Sequence, residues 1–67
     1  MINKNGFIIK LKDQDTYLDS EGAHTQDIDQ AQVWVDDMAA DRMETWFTEK
    51  HRVEYEVKRV RYTLKLL

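Results

Sequence analysis

Apolar and polar residues alternate in the N-terminal part of the chain, over residues 6–12. Phe7, Ile9 and Leu11 alternate with Ile8, Lys10 and Lys12, which gives one apolar face and one mixed face. A period of two residues is typical of a strand that buries one face. Residues 13–15 then supply turn chemistry, because short Asx side chains bind neighbouring backbone amides. Residues 16–19 return as a short strand that ends in a turn at 20–22, which predicts an N-terminal β-hairpin.

The middle of the chain changes from a polar connection to a strand and then to a helix. Residues 25–30 are polar and are expected to form a loop or a single helical turn. Residues 31–35 alternate again, which predicts a third, short strand. Asp36 and Asp37 follow as an N-cap pair, since carboxylates accept hydrogen bonds from the unpaired amides of a first helical turn.

Apolar residues with helical spacing extend from Met38 to about His51. The side chains expected on the buried face fall within about 100° on a helical wheel. They are Ala39, Met43, Trp46, Phe47 and the stem of Lys50. Basic residues occupy positions 50–52, where the negative end of the helix dipole favours cations. This segment is predicted to be one amphipathic helix.

Residues 53–66 form a long β-prone stretch whose alternation changes phase after Arg59. The apolar positions are odd-numbered before that point and even-numbered after it, so the apolar set turns to the opposite face. Either a β-bulge at Lys58–Arg59 restores the register within a monomer, or the two halves are buried against different things. In the second case a second copy of the chain is a possible partner. The residues expected to mediate this self-association are Val60, Tyr62, Leu64 and Leu66.

Length and composition indicate one domain, residues 1–67, with a small core. The predicted fold class is α+β: a small antiparallel sheet with one amphipathic helix packed on it, in the order β-β-β-α-β. The absence of cysteine excludes disulfides. No apolar run has the length of a membrane span, and no secretory signal is present, so we expect a cytoplasmic protein without a membrane partner.

Charge is distributed unevenly along the chain. Residues 13–49 carry eleven carboxylates and one arginine, a net charge of −10, whereas residues 1–12 carry +3 and residues 50–67 carry +4. Such asymmetry determines the long-range field of a protein and hence the charge of its partners.

Patterns of catalytic or metal-binding residues are poorly supported. A calcium loop beginning at Asp13 fails, because the position that requires glycine is Leu18 and the position that requires glutamate is His24. His24 and His51 belong to separate elements, without the spacing of a zinc site. Ser20 lies in a turn without a nucleophile elbow. We therefore expect no cofactor, no metal and no enzymatic activity.

Three carboxylates form a stripe on the predicted helix: Asp37, Asp41 and Glu44 lie at i, i+4 and i+7, and no lysine or arginine shares the stripe. Each like-charge neighbour costs about 0.2–0.5 kcal/mol, so a helix selected only for stability would interleave lysines. The stripe predicts a surface that binds a basic protein, including one that handles nucleic acid, by imitating phosphate charge.

Basic and aromatic residues in the last stretch support an alternative function. A strand that carries cations and a stacking ring is one way to hold single-stranded nucleic acid. The residues for this alternative are Arg59, Arg61, Tyr62 and Lys65. The same arginines are also compatible with an ordinary solvated strand face that neutralises the acidic middle of the chain.

The order of residues around the predicted hairpin resembles small phage and prophage proteins of Gram-positive bacteria. The matching positions are Tyr17-Leu18, Gly22, Thr25, Asp27, Ala31 and Val33-Trp34, within residues 7–47. The resemblance implies an initial hairpin, then a strand and a helix, in a protein that acts inside the bacterial host cell. It also implies a host-directed inhibitor, such as an acidic anti-CRISPR or anti-restriction protein.

Overall fold

The computed structural model describes residues 2–64 and the side chains of residues 3–63. Its elements are β1 (Ile2–Leu11), β2 (Tyr17–Leu18), β3 (His24–Thr25), a 3₁₀ turn (Ile28–Gln30), α1 (Asp37–His51) and β4 (Tyr55–Leu64). The sheet is antiparallel, in the order β3-β2-β1-β4. The α+β class and the element order β-β-β-α-β are therefore confirmed.

The third strand is not where the alternation of residues 31–35 placed it. Within that segment, Ala31 forms an isolated bridge with Asp19 and Trp34 forms one with Phe7. The segment runs from the end of β2 to β1. It therefore forms one bridge beside β2 and one with β1, instead of a continuous ladder with a single strand. The observed third strand, β3, comes earlier and pairs with β2 over two residues.

The long pair β1–β4 has one uninterrupted register, from Ile2 opposite Leu64 to Leu11 opposite Tyr55. Of the two alternatives for the change of phase, the β-bulge at Lys58–Arg59 is therefore excluded. The change of phase is retained in the fold, and the apolar side chains of the pair change face halfway along it. The two halves are consequently buried against different parts of the chain, which is the other arrangement that the pattern allowed.

The half of the pair that contains Tyr55 is covered by α1. Ile9, Leu18 and Tyr55 form the core and are at most 4% exposed. Partly buried apolar side chains pack around this cluster. They are Leu11, Trp34, Met43, Phe47 and Val57.

The other half of the pair is covered on its opposite face by the segment that precedes the helix. A β-carbon on Gly6 would lie 2.5 Å from Val33 Cγ1, 3.0 Å from Tyr62 Cε1 and 3.2 Å from the Trp34 carbonyl. Val33 and Tyr62 thus lie directly over the Gly6 backbone, and only a residue without a side chain leaves room for them. Val60 and Tyr62, the described side chains of the second apolar phase, are therefore partly covered within the protomer.

α1 begins with the predicted capping chemistry and ends with a left-handed residue that the sequence pattern did not indicate. Asp36 is the N-cap, and its carboxylate accepts a hydrogen bond of 3.0 Å from the Met38 amide. At the other end Arg52 has left-handed backbone, with φ of 56°, and donates its N–H to the Thr48 carbonyl at 2.9 Å. Both contacts pair backbone groups that lack a partner inside the helix.

The buried face of α1 differs from the prediction at Ala39, Trp46 and Lys50, the last of which is exposed. Ala40, rather than Ala39, is fully buried, and Ala39 is half-buried. Trp46 was expected to be buried but is 48% exposed, and the Lys50 ammonium lies 4.6 Å above its ring. Successive residues are about 100° apart around a helix, so the neighbouring Phe47 occupies the centre of the contact and places Trp46 at its border.

Candidate interaction surfaces

The predicted anionic stripe is divided between solvent and a groove. Asp37 and Asp41 are exposed, one turn apart on α1. Glu44 is half-buried and lines an open groove of about 380 Å³ between α1 and the β1–β4 pair. The other residues that line this groove are Lys12, Thr48, Glu54, Tyr55 and Glu56. Asp37 and Asp41 are therefore the two members of the stripe that face solvent.

Ion pairs join lysines and glutamates of the two terminal regions and leave the carboxylates of the middle of the chain without an ion-pair partner in the described residues. In residues 2–64 the three ion pairs join Lys10 and Lys58 to Glu56 and Lys12 to Glu54, all within or beside β1 and β4. None of the eleven carboxylates of residues 13–49 takes part in an ion pair within this described part. The carboxylates in the middle of the chain are thus not neutralised by ion pairs within the described residues.

Several of these carboxylates have a local structural task. Asp19 accepts two backbone hydrogen bonds of 2.9 Å in the turn after β2, and Asp27 accepts one of 3.0 Å at the 3₁₀ turn. Asp36 caps α1. Asp37 contributes to the favourable charge of the first turn, whereas Asp41 lies beyond that turn and its carboxylate makes no hydrogen bond in the described residues.

Two exposed apolar side chains adjoin these carboxylates. Val35 is 77% exposed and Met38 is 65% exposed. Met38 follows Asp37 and precedes Asp41 by three residues, so it lies next to Asp41 on the helix surface. We call Val35, Asp37, Met38 and Asp41 the α1 surface. The sequence pattern placed Val35 in a strand and did not single out Met38. Met38 lies outside the apolar stripe of the helical wheel, and this position predicts an exposed apolar side chain.

The residues of the alternative nucleic-acid surface are not on one face. Arg59 and Arg61 are exposed on one side of β4, and the Arg59 guanidinium lies 5.9 Å from the centre of the Phe7 ring. Tyr62 projects from the opposite side, over Gly6. Lys65 lies outside the described residues. The ring predicted to stack on bases is therefore separated from the two arginines.

The residues predicted for self-association are only partly described. Val60 and Tyr62 are half-buried and line a small cavity of about 160 Å³ with Ile8, Ile28 and Val33. The Leu64 side chain and Leu66 lie outside the described residues. Because Val60 and Tyr62 are partly covered within the protomer, they offer less apolar area to a second copy than their sequence pattern indicates.

A cluster of rings forms where α1 ends and β4 begins, although sequence reasoning kept its histidines apart. The rings of His24 and His51 are 6.1 Å apart, and His24 Nε2 forms a hydrogen bond of 2.7 Å with the Tyr55 hydroxyl. Phe47 stacks on His51 with an interplanar angle of 5°. Burial raises the pKa of the Tyr55 hydroxyl. Within residues 2–64, no group of three or more His, Cys, Asp or Glu side chains has the geometry to hold a metal ion.

Lys10 and Glu56 form the most buried ion pair of the described residues, with Nζ and Oε1 3.1 Å apart. The hydrogen bond from Lys10 lowers the pKa of Glu56, partial desolvation opposes this effect, and the charge of Lys58 adds to it. This pair joins β1 and β4 on the face opposite α1.

Comparison with protein-family models, with curated proteins and with solved structures found no match. Among the described residues, no helix combines the length and the apolar character needed to cross a membrane. The functional inference therefore depends on the surfaces themselves.

Proposed function

We propose that this chain is a non-catalytic interaction protein of phage type, acting in the cytoplasm of a bacterial host, whose α1 surface binds a basic protein. The observation that carries the proposal is the combination of exposed Val35 and Met38 with Asp37 and Asp41, which form no ion pair in the described part of the chain. The phage-type origin is supported by the sequence resemblance around the hairpin.

The composition of the α1 surface matches a protein interface better than a solubilising face. Charged groups that only keep a protein soluble do not require apolar side chains exposed among them. Protein interfaces combine an apolar centre with a polar rim, and complementary charge accelerates encounter and excludes wrong partners. A basic partner that normally binds phosphate groups would meet both the negative field and an apolar contact. An inhibitor of a nucleic-acid-handling defence protein would need a surface with both properties.

The test uses the partner recovered with the tagged protein from its host, followed by measurement of the dissociation constant of the purified complex. Reversing Asp37 and Asp41 to lysine is expected to weaken binding about tenfold or more, because two favourable charge contacts become repulsive. The matched control reverses Asp13 and Glu21, which are exposed turn residues. Equal weakening by both pairs would show that only net charge matters and would contradict the assignment of the surface.

The apolar part of the surface is tested separately. Met38→Ala is expected to weaken the same complex without altering its dependence on salt, because it removes apolar contact and no charge. Ile28→Ala is the control, since Ile28 is also an exposed apolar residue, 52% accessible, but lies in the 3₁₀ turn. Unchanged affinity for Met38→Ala would restrict the interaction to electrostatics.

The alternative function, binding of nucleic acid, retains one supporting observation. Arg59 and Arg61 are exposed on the same face of β4 and have no ion-pair partner in residues 2–64. Retention on a nucleic-acid column at low salt, lost in Arg59→Glu/Arg61→Glu, would favour this function. If the wild-type protein is retained and the double reversal does not change its retention, Arg59 and Arg61 are excluded as nucleic-acid-binding residues.

A further inference from the structure

The backbone of β4 has one open side. Within residues 2–64, β4 is the edge strand of the sheet and pairs only with β1. Phe7 exchanges both of its backbone hydrogen bonds with Trp34, at 2.8 and 2.7 Å, so it makes none with the opposing Arg59. Antiparallel pairs alternate between bonded and non-bonded. The odd-numbered residues of β4 therefore point their N–H and C=O groups away from β1.

No backbone partner meets these outward groups in the described part of the chain. The outward residues are Val57, Arg59, Arg61 and Thr63, with Tyr55 at the start of the strand. A row of unpaired groups of this length is a template for another extended chain. Whichever strand is added, its side chains will lie next to those that β4 presents on each face.

Cationic side chains line this open edge. Arg59 and Arg61 are exposed on the face that α1 covers further along the strand and form no ion pair in residues 2–64, whereas Lys58 is exposed on the other face, 3.8 Å from Glu56 Oε1. A second copy of β4 paired antiparallel would place its own arginines beside these, and like charges on paired strands are destabilising. The same cations attract an extended chain that carries carboxylates. Charge therefore disfavours self-pairing and favours an acidic partner.

We propose that the open edge of β4 binds an extended acidic segment of another protein by β-strand addition. The segment would place carboxylates beside Lys58, Arg59 and Arg61, and apolar side chains beside Val57 and Val60. It would form backbone hydrogen bonds with the odd-numbered residues of β4. This interaction goes beyond the proposed function, because it uses neither the residues nor the charge of the α1 surface.

A single-stranded nucleic acid fits this edge less well. It carries anionic groups for the arginines but no alternating N–H and C=O groups to continue the sheet. It would also lack a stacking ring beside the arginines, because Tyr62 projects from the opposite face of β4. Backbone hydrogen bonding is therefore the property that separates the two classes of ligand.

The test uses a synthetic peptide with glutamates at the positions beside Lys58, Arg59 and Arg61 and valines beside Val57 and Val60. Binding is measured by fluorescence anisotropy, and the exchange of individual amide hydrogens is followed by NMR. The peptide is expected to slow exchange at Val57, Arg59, Arg61 and Thr63, while the even-numbered amides of β4 are already protected by β1. A peptide with lysines in place of the glutamates is expected not to bind.

Charge reversal supplies the second arm of the test. Arg59→Glu/Arg61→Glu is expected to weaken peptide binding about tenfold, since two attractive pairs become repulsive. Arg42→Glu/Lys50→Glu makes the same change in net charge on α1 and is expected to leave the affinity nearly unchanged. Retained protection of the even-numbered β4 amides shows that each variant is folded.

Three results would overturn the proposal. The first is peptide binding without slower exchange at the odd-numbered amides, which would mean contact through side chains alone. The second is binding of an oligothymidylate at low salt by a protein that does not bind the peptide. The third is slower exchange at the odd-numbered amides as the protein concentration rises without peptide, which would mean that a second copy occupies the edge.

Discussion

Replacing Gly6 with alanine tests whether the second apolar phase is buried within the protomer. The added β-carbon would lie 2.5 Å from Val33 Cγ1 and 3.2 Å from the Trp34 carbonyl oxygen. Val33 is β-branched and stiff at χ1, and the carbonyl belongs to the bridge that joins Trp34 to Phe7. Neither group can move away without disturbing the segment that covers this half of the β1–β4 pair.

The expected loss follows from two opposing effects. Overpacking of a filled site costs about 1–3 kcal/mol. Alanine has less conformational freedom than glycine in the unfolded chain, and this difference stabilises the folded state by about 0.4–1 kcal/mol. Subtracting the midpoints of the two ranges leaves a net destabilisation of about 1.3 kcal/mol, a sizeable share of the roughly 3–10 kcal/mol expected for a domain of this length.

Urea denaturation followed by tryptophan fluorescence measures this loss as a change in midpoint at constant slope. Asn5→Ala is the control, since Asn5 is the exposed neighbour in β1 and its replacement is expected to stay within about 0.5 kcal/mol. Val33→Ala should restore much of the lost stability when combined with Gly6→Ala, because it removes the clashing methyl group. Gly6→Ala as stable as the wild type, or a double variant without coupling, would refute burial against residues 28–34.

Three further perturbations test other contacts. Arg52→Gly is expected to raise the free energy of unfolding by about 0.5–1 kcal/mol, because glycine adopts the left-handed backbone of the helix end without strain; a lower unfolding temperature would contradict this. The hydrogen bond from Lys10 lowers the pKa of Glu56 below 4.5. The stability that ionised Glu56 contributes is therefore present above pH 4.5 and is lost as the pH falls through the lower pKa of the folded protein. Below pH 4.5 the free energy of unfolding should therefore fall less steeply with pH in Glu56→Gln than in the control Glu54→Gln. Identical pH profiles would exclude a contribution of the Lys10–Glu56 pair to acid stability. Burial raises the pKa of Tyr55 above 10.0, so stability is expected to fall as the pH rises from that value through the folded pKa. Tyr55→Phe should lack this part of the fall, whereas simultaneous ionisation of all three tyrosines in the folded protein would argue against burial.

The elements with a complete local signal were predicted well. Asp36 as N-cap, the helix that follows it and the basic residues at its end depend on interactions within a few residues of one another, which the sequence contains in full. Residues 31–35 were predicted less well, because their alternation fits any extended segment. Whether such a segment forms a strand depends on the neighbours it meets, and here it meets β2 and β1 in turn.

The candidate surfaces show the same division. The stripe of Asp37, Asp41 and Glu44 follows from helical spacing, but the groove that partly buries Glu44 is formed with the residue that follows β1, the residue that precedes β4 and the first two residues of β4. The exposure of Val35 depends on the turn into α1. The pairing of His24 with Tyr55 joins residues that are 31 positions apart in the sequence, and no local pattern announces it.

The sequence by itself determined the acidic middle, the basic ends, the amphipathic helix and the change of apolar phase after Arg59. These are properties of composition and of short-range periodicity, which the chain carries before it folds. Only the tertiary structure decided what that change of phase means. With β1 and β4 in one unbroken register, the first apolar half is covered by α1 and the second by the segment over Gly6. The same pairing leaves the outer side of β4 open, because the direction of a backbone N–H group is set by the strand it pairs with, and not by its own side chain.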